Sequence, residues 1–189
     1  MTFEVPNNIG IKELLTEHGP RLTREAVENQ GRKEELQGTQ FTLVVDVEGE
    51  LYSYTVNDGT DVQVKEGEDI PNAMVRYKIS KDDFNRMIEN GDLDMLLGIM
   101  SDLNKQKYET LKKLEGFMTA VLSNDDGSEY TIQAAFNDAQ SPQATFRMKT
   151  SDSAALMRKE DNPVNLFMSG AMKIEGDMAF AMATQPLFT

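Results

Sequence analysis

The sequence predicts an α+β fold in which a mixed, largely antiparallel sheet is covered on one face by helices. Residues 41–47 and 52–56 alternate apolar and polar side chains, which indicates half-buried strands. The turn residues Asn57-Asp58-Gly59 follow directly and favour a hairpin, which pairs strands antiparallel. Residues 84–88 carry apolar side chains at helical spacing, and Ser80 upstream is a suitable helix cap. Strands and helices of this kind pack in layers around a shared core.

The chain has no cysteine and one histidine, His18, which excludes several kinds of site. Without Cys there is no thiol nucleophile, disulfide or zinc ribbon, and one His does not make a multi-histidine metal site. The other side chains do not supply a nucleophile, a base and a group that orients the base. We therefore expect no enzyme activity, no catalytic residues, no metal and no cofactor.

The net charge is −13, from 19 Lys and Arg against 32 Asp and Glu. This acid excess argues against nucleic acid as a partner and weakens adsorption to anionic membranes. Residues 1–10 contain an acid and a proline where a secretory signal has a basic run followed by an apolar one. No apolar stretch approaches the roughly 20 residues that span a bilayer. These features predict a cytoplasmic protein.

Apolar periodicity predicts the remaining elements in order. Residues 9–28 have a helical pattern, and Gly19-Pro20 predicts a break into two short helices. Residues 92–114 predict another helix, which Gly116 ends. Strands are expected over 41–47, 52–56, 62–64, 73–79, 117–122, 130–136 and 144–148. The C-terminal region is expected to form a helix at 153–159, an apolar segment at 164–168, a strand at 172–174 and a helix at 177–183.

An internal repeat relates two parts of the chain. Residues 73–80 resemble residues 144–151 at a constant offset, and in both a strand is followed by Ser and then a helix. We therefore expect a single domain over residues 1–189, with a sheet extended by a second half-repeat. Its parts are a first block at 9–91, a connecting helical segment at 92–116 and a second block at 117–188 that contains the closing motif.

The closing motif is the segment Gly170-Ala171-Met172-Lys173-Ile174-Glu175-Gly176-Asp177. It resembles the end of sterol carrier protein 2 (SCP2) family domains, where a short apolar helix and a Gly precede a strand of the type hydrophobic-Lys-hydrophobic-x-Gly-Asp/Asn. A final apolar helix follows in that family and lines a lipid cavity. A typical family domain passes almost directly from a position like Gly91 to this motif. Here about 75 residues intervene and carry the second block, which suggests a partial duplication or a long insertion.

The final helix, residues 177–183, has no polar face and must be covered on every side. Its Met residues would fill a core, or would line a ligand cavity with unbranched, adaptable side chains. The family resemblance implies the cavity. The predicted ligand-binding residues are Phe167, Met168, Met172, Met178, Phe180 and Met182, with Phe84 and Met87 from the equivalent helix of the first block.

The resemblance therefore implies non-catalytic binding and transfer of an apolar lipid, of the sterol, fatty acid or acyl-CoA type, between the sheet and the C-terminal helix. One alternative is an accessory protein that presents a lipid or quinone intermediate to a biosynthetic complex. Another is an interaction module whose apolar tail packs against a second copy. Transient contact with a membrane or a protein, and a homodimer, are the further partners that the sequence leaves open.

Overall fold

The computed structural model describes residues 5–6 and 8–189. Within these residues, eight strands form one sheet in the order β3-β2-β1-β4-β6-β5-β7-β8. The strands are β1 (Gln40–Val47), β2 (Glu50–Asn57), β3 (Asp61–Glu66), β4 (Val75–Ile79), β5 (Gly116–Ser123), β6 (Glu129–Phe136), β7 (Gln143–Lys149) and β8 (Lys173–Gly176). The helices are α1 (Ile11–Glu13), α2 (Gly19–Asn29), α3 (Lys81–Asn90), α4 (Asp94–Ser101), α5 (Lys105–Leu111), α6 (Thr150–Met157), α7 (Pro163–Ser169) and α8 (Met178–Ala183).

Three strands in each half of the sheet pair in the same way. Strand β1 pairs antiparallel with β2 and parallel with β4, and β5 pairs antiparallel with β6 and parallel with β7. The antiparallel pair β4–β6 joins the halves into one sheet. The α+β fold with a mixed, largely antiparallel sheet is confirmed, and the repeat that the sequence indicates has a counterpart in the strand pairing.

Backbone geometry at the first hairpins follows from the turn residues. Asp58 (φ 52°) and Gly59 (φ 73°) both lie in the left-handed region, which Asp tolerates and Gly adopts without strain. The Asp58 side chain also accepts a hydrogen bond from the Gly38 N–H at 2.7 Å. The turn therefore holds the strands β2 and β3 in register and ties them to the segment that leads into β1.

The N-terminal helical region differs from the prediction of two separate helices. Residues Leu14–His18 form a π-helical turn that connects α1 directly to α2, so the chain does not leave the helical path at Gly19-Pro20. Pro20 lies inside this helical path and has no N–H, so the widened turn before it lacks one backbone donor. The Tyr54 hydroxyl donates to the Leu15 carbonyl in the widened turn and anchors it to β2.

Residues 92–114, predicted as one helix, form the two helices α4 and α5. Asn104 ends the continuity because its side chain accepts a hydrogen bond from the Lys107 N–H at 2.8 Å and caps α5. Every residue of α4 is buried, so this helix lies inside the protein. Over the described residues, no helix is both long and apolar enough to span a membrane.

Candidate functional site

An apolar cavity of about 260 Å³ lies between the second half of the sheet and the C-terminal helices. The sheet contributes Met118 and Ala120 from β5, Phe146 and Met148 from β7, and Ile174 from β8. The helices and their connections contribute Met95, Leu156, Pro163, Val164, Phe167, Met168, Met172, Met178, Ala181, Met182, Thr184, Gln185 and Phe188. The chain has 12 Met residues, and seven of those in its described part line this cavity.

The side chains that line the cavity include few polar groups. Thr184 and Gln185 are its polar side chains, and within the described residues none of the lining side chains is ionisable. Likewise, no group of three or more His, Cys, Asp and Glu is arranged as a metal site across residues 5–6 and 8–189. The arrangement suits contact with hydrocarbon, which needs neither proton transfer nor metal coordination.

The mouth of the cavity is formed by α7 and α8. Large hydrophobic residues are exposed at five positions of the described structure, and all five line this cavity. Their exposed fractions are 47% for Val164, 43% for Phe167, 78% for Met168, 43% for Met178 and 54% for Met182. We call these five residues the apolar rim. The cavity therefore opens to solvent through a border that is itself apolar.

Hydrogen-bonded caps and a close backbone approach place α8 over the cavity. The Asp177 side chain accepts a hydrogen bond from the Phe180 N–H at 2.8 Å and begins the helix. The Asp177 N–H donates to the Gln143 carbonyl at 2.8 Å, which ties the helix start to β7. Gly176 (φ 97°) precedes it, and a Cβ at that position would lie 2.5 Å from the same Gln143 oxygen. These contacts explain the two residues that end the closing motif. Gly176 leaves room for the Gln143 carbonyl, and Asp177 makes the hydrogen bonds that begin α8.

Helix α7 also has defined signals at its start and its end. Asn162 accepts a hydrogen bond from the Asn165 N–H at 2.9 Å, Pro163 occupies the first turn, and Gly170 (φ 77°) ends the helix in the left-handed region. The buried Leu166 faces the protein, whereas Phe167 and Met168 are exposed at the rim. A short helix with defined ends therefore presents its apolar side chains at the mouth.

The structure brings together five of the eight predicted ligand-binding residues. Phe167, Met168, Met172, Met178 and Met182 all line the cavity. Phe180 lies on α8 but packs instead against Phe136 and over Gly116. Phe84 and Met87 are fully buried on α3 of the first block and do not line the cavity.

Sequence reasoning missed the sheet side of the cavity. Met118 and Ala120 are two positions apart on β5, as are Phe146 and Met148 on β7, so each pair shares a face of its strand. The strands β5 and β7 are parallel neighbours with Ala120 opposite Phe146. The alternation of apolar residues along β5 and β7 shows that these side chains share a face. It does not show that this face lies under α7 and α8.

Comparison with known proteins relates the C-terminal part of the chain to a sterol transfer family. Residues 99–189 match the model of the SCP-2 sterol transfer family. The apo form of sterol carrier protein 2 from Yarrowia lipolytica is 18% identical, with 51% of this chain and 85% of that one covered and a TM-score of 0.38. The sterol carrier protein domain 2 of Helicoverpa armigera is 15% identical over 95% of this chain and 89% of that one, with a TM-score of 0.24.

A different kind of protein also aligns. The stereoselective inverting sec-alkylsulfatase Pisa1 from Pseudomonas sp. is 13% identical, with a TM-score of 0.25, and the alignment covers 82% of this chain but 14% of that one. No protein with a curated function matches the chain in sequence.

The family match is continuous from α4 to the C-terminus. It therefore includes most of the predicted insertion before the closing motif, together with β5–β8 and helices α5–α8, whereas the cavity residue Met95 on α4 lies outside it. The segment formed by residues 99–189 belongs to the SCP-2 sterol transfer family.

Proposed function

We propose that the chain binds an apolar lipid in the cavity between the second half of the sheet and helices α7 and α8, and carries it without chemical change. The observation that carries this proposal is the lining itself, which is apolar at sixteen of its eighteen positions and includes seven Met residues. The sterol transfer for which the family is named supports the same conclusion.

Burial of hydrocarbon supplies the free energy of binding. Each Å² of apolar surface removed from water contributes roughly 25 cal/mol, so an acyl chain or a sterol ring system binds without directed polar contacts. The volume of about 260 Å³ lies just below the roughly 300–1,000 Å³ that is usual for ligand pockets. Because Met side chains are unbranched and readily change rotamer, we expect this lining to widen around a ligand.

Transfer requires that the apolar ligand can enter and leave the cavity through a surface that is itself apolar. Helices α7 and α8 contain no charged residue, although the chain carries a net charge of −13. The apolar rim therefore suits transient contact with an apolar surface, such as a neutral membrane, better than contact with an anionic one. An accessory role, in which the lipid is handed to an enzyme, would use the same rim.

Uptake of a fluorescent fatty acid by the purified protein tests the proposal. We expect saturable uptake by the wild type and weaker uptake by Met182→Glu, which places a charge on the cavity wall. Ala179→Glu is the matched control because Ala179 is exposed on the same helix and does not line the cavity. No uptake by the wild type, together with no lipid released by organic extraction, would contradict the proposal.

A second candidate function is self-association through the apolar rim, which is favoured by the exposure of Met168 and Met182. Sedimentation velocity separates the two. A dimer that Met168→Glu converts to a monomer, in a wild type that takes up no lipid, would favour an interaction module over a carrier.

A further inference from the structure

Methionine is the only sulfur-containing residue type in the sequence, because the chain has 12 Met and no Cys. Among the described residues, exposed Met side chains occur at three positions, and all three belong to the apolar rim: Met168, Met178 and Met182. The other Met residues of the described part are buried or half-buried: Met74, Met87, Met95, Met100, Met118, Met148, Met157 and Met172. Within the described structure, a small oxidant dissolved in water therefore reaches the thioethers of the rim first.

Oxidation of these thioethers needs no catalytic group from the protein. A hydroperoxide transfers its terminal oxygen to the sulfur. The sulfur lone pair forms the new S–O bond, the O–O bond breaks, and the remaining oxygen takes up the transferred proton and leaves as an alcohol, or as water from hydrogen peroxide. The sulfur loses two electrons and the peroxide gains them. The product, methionine sulfoxide, is polar where the thioether was apolar.

The three exposed Met side chains border the same opening from two helices. Met178 and Met182 are four residues apart on α8, which places them on one face of that helix. Met168 lies on α7. All three also line the cavity. Oxidation of the rim therefore puts polar oxygen atoms at the opening through which a ligand must pass.

The fold can accept polar atoms at these positions. Helix α8 is held by the Phe180 ring and by the Asp177 cap, and neither contact involves a Met of the rim. A sulfoxide oxygen at an exposed position keeps its hydration while the cavity is empty. A ligand in the cavity would cover that oxygen with hydrocarbon, and a buried polar group without a hydrogen-bond partner is costly. Oxidation should therefore weaken ligand binding more than it weakens the fold.

We infer that Met168, Met178 and Met182 form a methionine oxidation site, and that their sulfoxides close the cavity to apolar ligands. This inference rests on the proposed function. The oxidant is a hydroperoxide, including hydrogen peroxide. Methionine sulfoxide reductases, one for each sulfoxide epimer, reverse the modification. The rim is thus a redox switch between a form that binds the ligand and a form that releases it.

Limited oxidation with hydrogen peroxide, followed by peptide mass spectrometry with fragmentation, tests the site. Met172 is the internal reference because it is four residues from Met168 and lines the same cavity but is buried. We expect one oxygen atom to be added at each of the three exposed Met residues before Met172 is oxidised. Equal rates at Met168 and Met172, or faster oxidation of Met172, would overturn the assignment.

Uptake of a fluorescent fatty acid before and after this treatment tests the switch. The apparent Kd of the wild type should rise about tenfold once the rim is oxidised, which is the size expected for a buried polar group that lacks a partner. Treatment of the oxidised protein with both sulfoxide reductases should restore the original Kd.

Leucine variants identify the residues responsible, because Leu has nearly the volume of Met but no sulfur. A triple variant with Met168→Leu, Met178→Leu and Met182→Leu should show no rise in Kd on oxidation when it is compared with its own untreated form. Met74→Leu is the matched control, because Met74 is half-buried before β4 and does not line the cavity. It should respond to oxidation as the wild type does.

The outcomes separate the two proposals. No uptake by the untreated wild type would overturn both. Uptake that oxidation of the rim leaves unchanged would overturn the switch and leave lipid binding in place. A rise in Kd of the same size in the triple variant would also overturn the switch, because oxidation would then act at other residues. So would a loss that the reductases do not reverse after they have removed the oxygen, since it would indicate damage to the fold.

Discussion

The rings of Phe180 and Phe136 meet edge to face, with their centroids 6.2 Å apart and their planes at 61°. Phe180 belongs to α8 and Phe136 ends β6, so this contact fastens the helix over the cavity to the sheet. Neighbouring Met178 and Met182 line the cavity. One short helix thus divides its apolar residues between an anchor and a cavity wall.

This division predicts different effects along α8. Phe180→Ala should lower the free energy of unfolding by about 3–5 kcal/mol, because Phe180 is 4% exposed and its removal leaves a hole. Met178→Ala should cost less, because Met178 is 43% exposed. Denaturant titrations of both variants measure the difference. Equal losses would show that the ring contact does not anchor the helix.

The close approach at Gly176 predicts a position that tolerates no side chain. Gly176→Ala should destabilise the protein by more than the roughly 1–3 kcal/mol of a strained backbone alone, because its Cβ would lie 2.5 Å from the Gln143 oxygen. Gly170→Ala is the matched control, since Gly170 also has a positive φ but a Cβ there meets nothing within 4 Å. Thermal unfolding should rank the two variants in that order, and the reverse order would refute the steric argument.

The cap at Asp177 predicts a smaller, chemically specific effect. Asp177→Ala should cost about 1 kcal/mol, because the Phe180 N–H loses its acceptor. Asp177→Asn keeps an acceptor oxygen and should retain most of the stability. Chemical denaturation checks both variants. A loss of the same size in both would indicate that the charge of Asp177, and not its cap, stabilises the helix.

The ion pair between Arg76 and Asp138 predicts a pH dependence. The guanidinium of Arg76, on β4, hydrogen-bonds to Asp138 after β6 at 2.7 Å and lowers the pKa of that carboxyl. A lowered pKa stabilises the folded state above the pKa of about 4 that Asp has when unfolded. The contribution is lost as the pH falls from there through the lower pKa of the folded protein.

Asp138→Asn should therefore be less stable than the wild type at neutral pH, by about 1–3 kcal/mol, and the difference should shrink in acid. Asp69→Asn should matter less because Asp69, 2.8 Å from the same guanidinium, is 51% exposed. Urea titrations at several pH values make the comparison. A difference for Asp138→Asn that does not change with pH would contradict the assignment.

Local patterns were sufficient for most of the fold. The alternation in β1 and β2, the turn at Asp58-Gly59 and the cap at Ser80 are decided by neighbouring residues, and the structure contains each of them. The prediction of one helix over residues 92–114 was wrong because Asn104 caps a second helix within it. The predicted break at Gly19-Pro20 was wrong because the chain continues through a π-helical turn.

The candidate site could be predicted in part, because some of its features also follow from composition and local pattern. Composition and local pattern were sufficient to show that the C-terminal third carries a closing motif and a concentration of Met, and that reactive side chains are scarce. The three-dimensional packing was needed to show that Phe180 faces the sheet while Met178 and Met182 face a cavity. It was also needed to show that Arg32 and Lys159, far apart in sequence, both pair with Asp102. Periodicity determines which residues share a face, but long-range packing determines what that face meets.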